Sequence, residues 1–166
     1  MTTTPSEVPP VLVHEATPAD LAATQDLIAA ARLPLAGLED AALVLVAAAA
    51  DGTVVGTVAL ERHGTGDDTA FLLRSAAVAP SWRGRGIGAE LTAAALAHVD
   101  AAGAPVALLT ETAAGYFPRF GFTAVPRDRL PTDLGASAEL QGACPASARA
   151  LLRPASVSAT EASGGR

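Results

Sequence analysis

Two apolar runs in the first half of the chain are separated by one short polar turn. Residues 43–50 and 53–60 are mostly apolar, and Asp51-Gly52 lies between them. An Asp-Gly pair between two such runs is the strongest local indicator of a β-hairpin, because the tight turn requires positive φ angles that these residues tolerate. The sequence therefore predicts two antiparallel strands here, and any fold of the chain must contain them.

The segments around this hairpin alternate between strand and helix patterns. One helix is predicted to begin at Thr17-Pro18 and to end at Leu33-Pro34, and a second runs from Ile87 to a stop at Gly103. A third, shorter helix is predicted at 113–120. Further strands are predicted at 11–15, 71–78, 106–110, 122–125 and 147–152, whereas 127–143 is expected to be irregular.

The order of these elements is strand, helix, three strands, helix, strand, helix and then strands. It predicts an α/β (mixed α+β) fold, a single twisted mixed sheet flanked by helices. A length of 166 residues fits one domain, which we expect at 10–153. Residues 1–9 and 154–166 are rich in small and polar residues, and we expect both to be disordered tails.

The composition argues against several classes of partner. The net charge is −6, which is opposite to the basic surface that nucleic acid requires. The longest apolar run, Ala41 to Ala50, is much shorter than the ~20 residues of a membrane-spanning helix. The first ten residues do not resemble a signal peptide, and the single cysteine, Cys144, excludes an internal disulfide. We expect a cytoplasmic protein with no nucleic-acid or membrane partner.

The loop before the second long helix has three glycines within five positions: Gly84, Gly86 and Gly88. Such a loop leaves backbone N–H groups uncovered, and the positive end of the helix dipole points to the same place, so the segment predicts an anion site suited to phosphate. Arg83 and Arg85 add positive charge. A simple turn with solvated arginines is the less favoured alternative.

Gly84, Gly86 and Ala89 also satisfy the G-x-G-x-x-A fingerprint of dinucleotide-binding proteins. That fingerprint places its first glycine directly after a strand and an acidic residue about twenty positions later. Here five residues separate the strand from Gly84, and the residue twenty positions beyond Gly84 is Ala104. The dinucleotide interpretation is therefore rejected.

Two motifs resemble those of the GNAT acetyltransferases. Arg83-x-x-Gly86-x-Gly88, after a strand that ends in Ala76-Ala77-Val78, resembles motif A, and the segment Ala114 to Phe122 resembles a later motif that ends in Gly-Phe. The resemblance implies acetyl-CoA as co-substrate, with its pyrophosphate on the loop amides and its pantetheine arm along the strand edge. It assigns to acetyl-CoA the residues Ala77, Val78, Arg83, Gly84, Arg85, Gly86, Ile87, Gly88, Ala89 and Phe117.

Four short segments narrow this resemblance. They are similar to segments of the arsenic-resistance N-acetyltransferases and comprise Leu33-Pro34 with Gly37-Leu38, Leu72 to Ser75, Leu108 to Ala114, and Cys144 to Ala148. This resemblance implies a small amino-acid-like acceptor, with an organoarsenical or a phosphinic analogue among the candidates.

The GNAT resemblance also directs attention to a possible acid and a possible base. In the family a tyrosine often protonates the leaving thiolate. Phe117 occupies that position here, and the single tyrosine of the chain is its neighbour Tyr116. Tyr116 is a candidate acid, with packing, substrate contact or a proton from water as the alternatives. Glu111 stands where the family often has an asparagine. It is a candidate general base through a water, or a ligand for the substrate ammonium, with a solvated carboxylate as the alternative.

Arg74 lies in the middle of an apolar strand, where an unpaired charge is costly. If its guanidinium points into the cleft, it would bind an anionic group of the substrate, with Ser75 beside it. The alternative, a salt bridge to Glu61 on the neighbouring strand, is equally open. Cys144 is expected to be a buried thiol rather than a nucleophile. The three histidines show no metal-binding spacing, and no metal is predicted.

Two functions follow from these observations. The first is acetyl-CoA-dependent N-acetylation of a small, anionic amine by a monomer or homodimer. The second is a catalytically degenerate acyl-CoA-binding module with a regulatory or scaffold role. It is favoured because Phe117 and Glu111 stand where the family often has a tyrosine and an asparagine. The intact loop and the presence of Arg74 and Glu111 favour the enzyme.

Overall fold

The computed structural model describes residues 10–156, which form one mixed sheet between two α-helices. The strands are β1 (Val11–Glu15), β2 (Leu43–Ala49), β3 (Val54–His63), β4 (Ala70–Val78), β5 (Val106–Thr110), β6 (Thr123–Val125) and β7 (Arg149–Arg153). The helices are α1 (Leu21–Ala30) and α2 (Ile87–Ala102). The strand order is β1-β2-β3-β4-β5-β7-β6, and the predicted mixed α/β fold is confirmed. The tail expected at 1–9 and most of the tail expected at 154–166 lie outside the described residues, and residues 154–156 carry no regular secondary structure.

The hairpin predicted around Asp51-Gly52 is formed by β2 and β3. These strands are antiparallel, with Leu43 opposite Leu60 and Ala48 opposite Val54. β3 continues beyond its predicted end, because its last residues pair with the beginning of β4 as far as His63 opposite Ala70. Strands β1 to β4 are therefore four consecutive antiparallel neighbours.

β4 and β5 are parallel and remain paired only near their first residues. Phe71 lies opposite Val106 and Leu72 opposite Ala107, and no further pair joins the two strands within the described part of the chain. β5 is instead paired along its full length with the antiparallel strand β7. The sheet consequently opens as a wedge between the carboxyl ends of β4 and β5.

The two α-helices cover opposite faces of the sheet. Val58 and Leu60 of β3 are buried in one cluster with Leu91 of α2, whereas Ala59 between them is buried with Ile28 of α1. Successive residues of a strand point to opposite faces, which is why one strand serves both clusters. None of the helices described is long and apolar enough to span a lipid bilayer.

The helix predicted at 113–120 is not an α-helix, and that prediction was wrong. Only Phe117–Phe120 form a single turn of 3₁₀ helix, which ends at Gly121 with a φ of 94°. Gly115 and Pro118 explain the difference. Glycine in a helix interior costs about 1 kcal/mol relative to alanine, and proline lacks an N–H and is tolerated only in a first turn.

Candidate active site

A cavity of about 730 Å³ occupies the wedge between β4 and β5. Its wall combines the second half of β4, the loop before α2, the end of β5 and the turn that carries Tyr116 and Phe117. A different part of the wall comes from the connection between α1 and β2 and from the segment before β7, with Leu33, Pro34, Glu139 and Cys144. The cavity thus brings together segments that are more than 100 residues apart in the chain.

The glycine loop has a left-handed backbone at two of its positions. Gly84 and Gly86 have φ angles of 78° and 79°, a left-handed conformation that is costly for other residues, and Gly86 caps the N-terminus of α2. A Cβ built on either glycine would meet no atom within 4 Å, so the loop backbone faces open space. Gly84, Gly86, Ile87, Gly88 and Ala89 all line the cavity.

The two arginines of this loop take different positions. Arg83 lines the cavity, and its Nε donates to the carbonyl of Val78 at 3.1 Å, which ties the loop back to the end of β4. Arg85 is exposed outside the cavity lining, and its guanidinium carbon stacks 4.9 Å from the ring centroid of Trp82. Trp82, which was not assigned a role from the sequence, lies on the cavity wall.

β4 contains a bulge at the position where it turns away from β5. Ala59 of β3 pairs with Arg74 and Thr57 pairs with Ala77, so Ser75 and Ala76 together face one residue of β3. Ser75 has a φ of 58°, in the left-handed region that non-glycine residues seldom occupy. The bulge redirects the end of β4, and residues Ala76, Ala77 and Val78 line the cavity after it.

Tyr116 and Phe117 both reach the cavity. Phe117 is buried and makes edge-to-face contacts with Tyr116 and Phe122, with ring centroids 5.3 and 5.7 Å apart. The Tyr116 hydroxyl lies 3.7 Å from the place where a Cβ of Gly88 would be. The guanidinium of Arg119 stacks 4.3 Å above the Tyr116 ring, and its Nε donates to the Tyr116 carbonyl. The structure therefore brings Tyr116 and the start of α2 together.

Glu111 is not brought into the cavity. Its side chain is exposed, it is absent from the cavity lining, and its carboxylate accepts a hydrogen bond from the Ser147 hydroxyl at 3.0 Å. This position corresponds to the solvated strand-end alternative rather than to a base facing the reaction.

Arg74 is buried with four of its five N–H groups engaged. Nη1 donates to Glu61 and to the carbonyl of Ala36, both at 2.8 Å, Nη2 donates to the carbonyl of Pro34 at 2.9 Å, and Nε donates to the Ser75 hydroxyl at 3.2 Å. The alternative of a salt bridge to Glu61 is confirmed. The expectation of a guanidinium fork open to a substrate anion is corrected, because the protein itself occupies that fork. Ser75 is likewise turned toward Arg74.

Glu139 and Cys144 lie on the cavity wall next to Arg74, and sequence reasoning did not assign Glu139 at all. Glu139 Oε1 accepts from the Cys144 thiol at 3.1 Å, and Oε2 lies 3.4 Å from Arg74 Nε. Burial raises the pKa of Glu139, and the thiol and the guanidinium offset this only in part. Burial, together with the neighbouring Glu139, raises the pKa of Cys144 to about 12, so this thiol is a poor nucleophile. A lone acid just before Cys144-Pro145 was the only sequence signal available.

Comparison with known proteins agrees with this architecture. The sequence model of the acetyltransferase (GNAT) domain family matches residues 40–124, which is about half of the chain. That segment contains the hairpin, the bulged strand, the glycine loop, α2 and the Tyr116 turn. The chain belongs to the GNAT acetyltransferase family. No curated protein sequence is similar enough to match.

Several solved structures share the fold. A GNAT family acetyltransferase from Brucella melitensis, in complex with acetyl-CoA, is 27% identical with a TM-score of 0.56, covering 70% of this chain and 84% of its own. N-acetylglutamate synthase from Neisseria gonorrhoeae, complexed with coenzyme A and N-acetyl-glutamate, is 19% identical with a TM-score of 0.73 over 89% of this chain. This chain spans 35% of the synthase. Naa50 from Arabidopsis thaliana, in complex with the bisubstrate analogue CoA-Ac-MVNAL, is 17% identical with a TM-score of 0.67, covering 86% and 97% of the two chains.

Among the residues described, no group of three or more His, Cys, Asp or Glu side chains is arranged to hold a metal ion.

Proposed function

We propose that this chain binds acetyl-CoA in the wedge between β4 and β5 and transfers the acetyl group to the amine of a small, amino-acid-like acceptor. The observation that carries the proposal is the left-handed glycine loop, open to space, at the N-terminus of α2 and at the mouth of the cavity. The acetyl-CoA complex of the Brucella melitensis acetyltransferase supports the same ligand here.

The residues of the wedge fit acetyl-CoA. Uncovered amides and a helix N-terminus at Gly84 to Gly88 suit the pyrophosphate. The edge of β4 that faces the wedge has no strand partner after Leu72 in the described chain, so its backbone can hydrogen-bond the amide groups of a pantetheine arm. Phe117 and Val78 supply apolar surface.

The protein residues have three tasks in the reaction, for which acetyl-CoA supplies an activated acetyl group. Holding acceptor and thioester together removes a large part of the entropic barrier. We assign the backbone amide near Val78 to the carbonyl oxygen, where a fixed donor favours the charge that develops. We assign the return of a proton to the sulfur to Tyr116, whose hydroxyl lies near Gly88, or to water.

The acceptor is small because one cavity must hold both it and the thioester arm. Leu33, Pro34, Glu139 and Cys144 line the part of the wall that the glycine loop does not form. The N-acetyl-glutamate bound to the similar synthase fold supports an amino-acid-like acceptor. An organoarsenical or phosphinic amino acid, and a role in resistance to it, rest on the short sequence segments alone. The hypothesis that the acceptor carries an anionic group has lost its main support, since the Arg74 guanidinium binds Glu61 and the Pro34 carbonyl within the protein.

Release of free thiol from acetyl-CoA tests the proposal when it is measured with a panel of amino acids, a phosphinic amino acid and an organoarsenical amine. Acetyl-CoA binding is measured in parallel by calorimetry. Turnover with at least one amine supports the enzyme. Tight binding of acetyl-CoA without turnover of any amine supports the alternative of a degenerate regulatory or scaffold module. Phe117 favours this alternative, because the family often has a tyrosine at that position. Absence of binding contradicts both.

We further propose a cytoplasmic location, which the single thiol of Cys144 suits. A monomer or homodimer is expected, and light scattering on the purified chain distinguishes the two.

A further inference from the structure

The cavity wall holds a buried carboxylate that the phosphate loop and the aromatic turn do not use. Glu139 is 4% exposed, lines the cavity, and belongs to the turn Glu139–Ala143 before β7. Buried carboxylates are nearly always paired or fully hydrogen-bonded, because an ionised group loses its hydration on burial. The partners of Glu139 within the protein are therefore informative.

These partners leave Glu139 incompletely satisfied. One oxygen accepts from the Cys144 thiol, which is a weak donor. The other lies 3.4 Å from Arg74 Nε, longer than the 2.7–2.9 Å typical of charge-assisted hydrogen bonds. Arg74 gives its short contacts to Glu61 and to two backbone carbonyls, and its Nε–H is directed to Ser75.

The charges of Arg74, Glu61 and Glu139, which form one cluster, also indicate that Glu139 lacks a full partner. One guanidinium, Arg74, lies between two carboxylates, Glu61 and Glu139. Glu61 has a second hydrogen-bond partner in the His63 ring, whose Nε2 is 2.8 Å from its Oε1, whereas Arg74 is the one ion-pair partner of Glu139 among the described residues. The Glu139 side of the cluster is therefore short of positive charge, and it faces the cavity.

We propose that Glu139 is the acceptor-amine site: it binds the substrate ammonium and takes the proton that the amine must lose before it attacks. The assignment rests on the proposed acetyltransferase function and names a residue for it. Cys144 and Arg74 position the Glu139 carboxylate and are not themselves catalytic residues.

The proton balance of the step is complete. The ammonium gives one proton to the Glu139 carboxylate, which passes it to water. The amine nitrogen then forms its bond to the acetyl carbon as the carbon–sulfur bond breaks, and the second proton goes to the departing sulfur. The raised pKa that burial gives Glu139 suits this task, since a general base is most effective when its pKa approaches the working pH.

The first test is Glu139→Gln, which keeps the shape of the side chain and removes its charge. We expect kcat/KM for the amine to fall by about 10²–10⁴-fold, the range of a lost general base, with unchanged affinity for acetyl-CoA. Glu39→Gln, an exposed acid outside the cavity lining, is the matched control for the loss of one negative charge. Wild-type activity with an equally active Glu139→Gln variant overturns the inference but leaves the proposed function intact. An inactive wild type contradicts the proposed function itself.

The second test does not require a change at Glu139. Its carboxylate must be ionised to accept a proton, so kcat/KM falls on the acid side as pH drops through its pKa. The Cys144 thiol lowers that pKa by donating to Oε1. With one acceptor amine throughout, Cys144→Ala should move the acid limb of the pH profile to higher pH, whereas Cys144→Ser keeps a donor and should hold the limb near its wild-type position. An acid limb at the same pH in both Cys144 variants and in the wild type overturns the assignment. The assignment is also overturned if Glu111→Gln loses activity while Glu139→Gln retains it.

Discussion

Arg74 connects three separate parts of the chain through one side chain. Its guanidinium donates to the carbonyls of Pro34 and Ala36 in the connection after α1, and to Glu61 on β3. It also lies beside Glu139 in the segment before β7. Buried ion pairs contribute little net stability when complete, but loss of one partner is costly because a buried charge is left without compensation.

Replacement of Arg74 by lysine should therefore weaken the fold rather than alter the choice of substrate. Lysine keeps the charge but presents one ammonium in place of a planar fork, so several of these contacts are lost. We expect a loss of about 2–4 kcal/mol, between one lost hydrogen bond and a broken buried ion pair, measured by urea unfolding. The ratio of kcat/KM for an acidic and a neutral amine should stay constant.

Arg129→Lys, at an exposed position, is the matched control. If Arg74→Lys keeps the wild-type stability and instead loses activity selectively toward the acidic amine, Arg74 binds a substrate anion after all.

Tyr116 has the right neighbours for an acid but stands one position away from the residue that the family resemblance indicates. Removal of its hydroxyl in Tyr116→Phe should lower turnover by less than about tenfold, short of the 10²–10⁴-fold effect of an essential acid. The physical reason is that the departing thiolate can take its proton from water, since its intrinsic basicity is modest. Steady-state kinetics at saturating acetyl-CoA provide the measurement, and a thousandfold loss with normal binding would show Tyr116 to be the acid.

Helix α2 has a glycine in the left-handed conformation at each end, and the two glycines have different roles. Gly86 begins the helix with a φ of 79° and Gly103 ends it with a φ of 64°, and a Cβ at either position would meet no atom within 4 Å. Gly86 lines the cavity and Gly103 does not. Substitutions at these two glycines therefore distinguish the effect of backbone strain from the effect on ligand binding.

Gly86→Glu should abolish acetyl-CoA binding while the fold survives. The new carboxylate enters the space of the pyrophosphate and repels it, in addition to the strain of about 1–2 kcal/mol for a side chain in this conformation. Gly103→Glu introduces comparable strain and the same charge at the other end of the helix and should bind acetyl-CoA normally. Calorimetry measures the affinity and circular dichroism monitors the helix content. Equal affinity in both variants would contradict the assignment of the loop.

The strand before this loop shows how an element can be predicted while its consequence is not. An extended segment at 71–78 is evident from its apolar residues, but the bulge at Ser75 is not. Serine gives no local signal for a φ of 58°, a conformation that persists only where the surrounding structure holds it. The bulge and the short pairing with β5 together produce the wedge.

For the molecule as a whole, Glu139 links stability to pH. Burial raises its pKa above the ordinary value of 4.5, so the folded state binds this proton more tightly than the unfolded state does. The corresponding stability is fully present below the unfolded pKa and is lost as pH rises through the folded pKa. Ionised Glu139 thus costs stability at neutral pH.

Glu139→Gln should consequently gain stability relative to the wild type between pH 4 and pH 7. Urea unfolding at the two pH values gives the difference, with Glu39→Gln as the control for removal of a negative charge. A variant that instead becomes less stable relative to the wild type as pH rises would show that Arg74 stabilises the carboxylate more than burial penalises it.

Local chemistry in the sequence was sufficient to predict most of the fold. The Asp51-Gly52 turn, the glycine loop and the apolar periodicity of α2 each depend on neighbouring residues, and each was found where expected. The helix predicted at 113–120 is instead a turn with 3₁₀ helix at Phe117–Phe120, because Gly115 and Pro118 disfavour a longer α-helix.

The contents of the cavity wall depend on contacts between residues far apart in the chain. Arg74 meets the carbonyl of Pro34 and the carboxylate of Glu139 only because the connection after α1, β4 and the segment before β7 converge on one side of the wedge. Glu111 and Glu139 are both single acids in the sequence, yet one is exposed and the other is buried on the cavity wall. Charge and turn preference are local properties that the sequence determines, whereas burial and the pairing of buried charges arise only when the tertiary structure brings distant segments together.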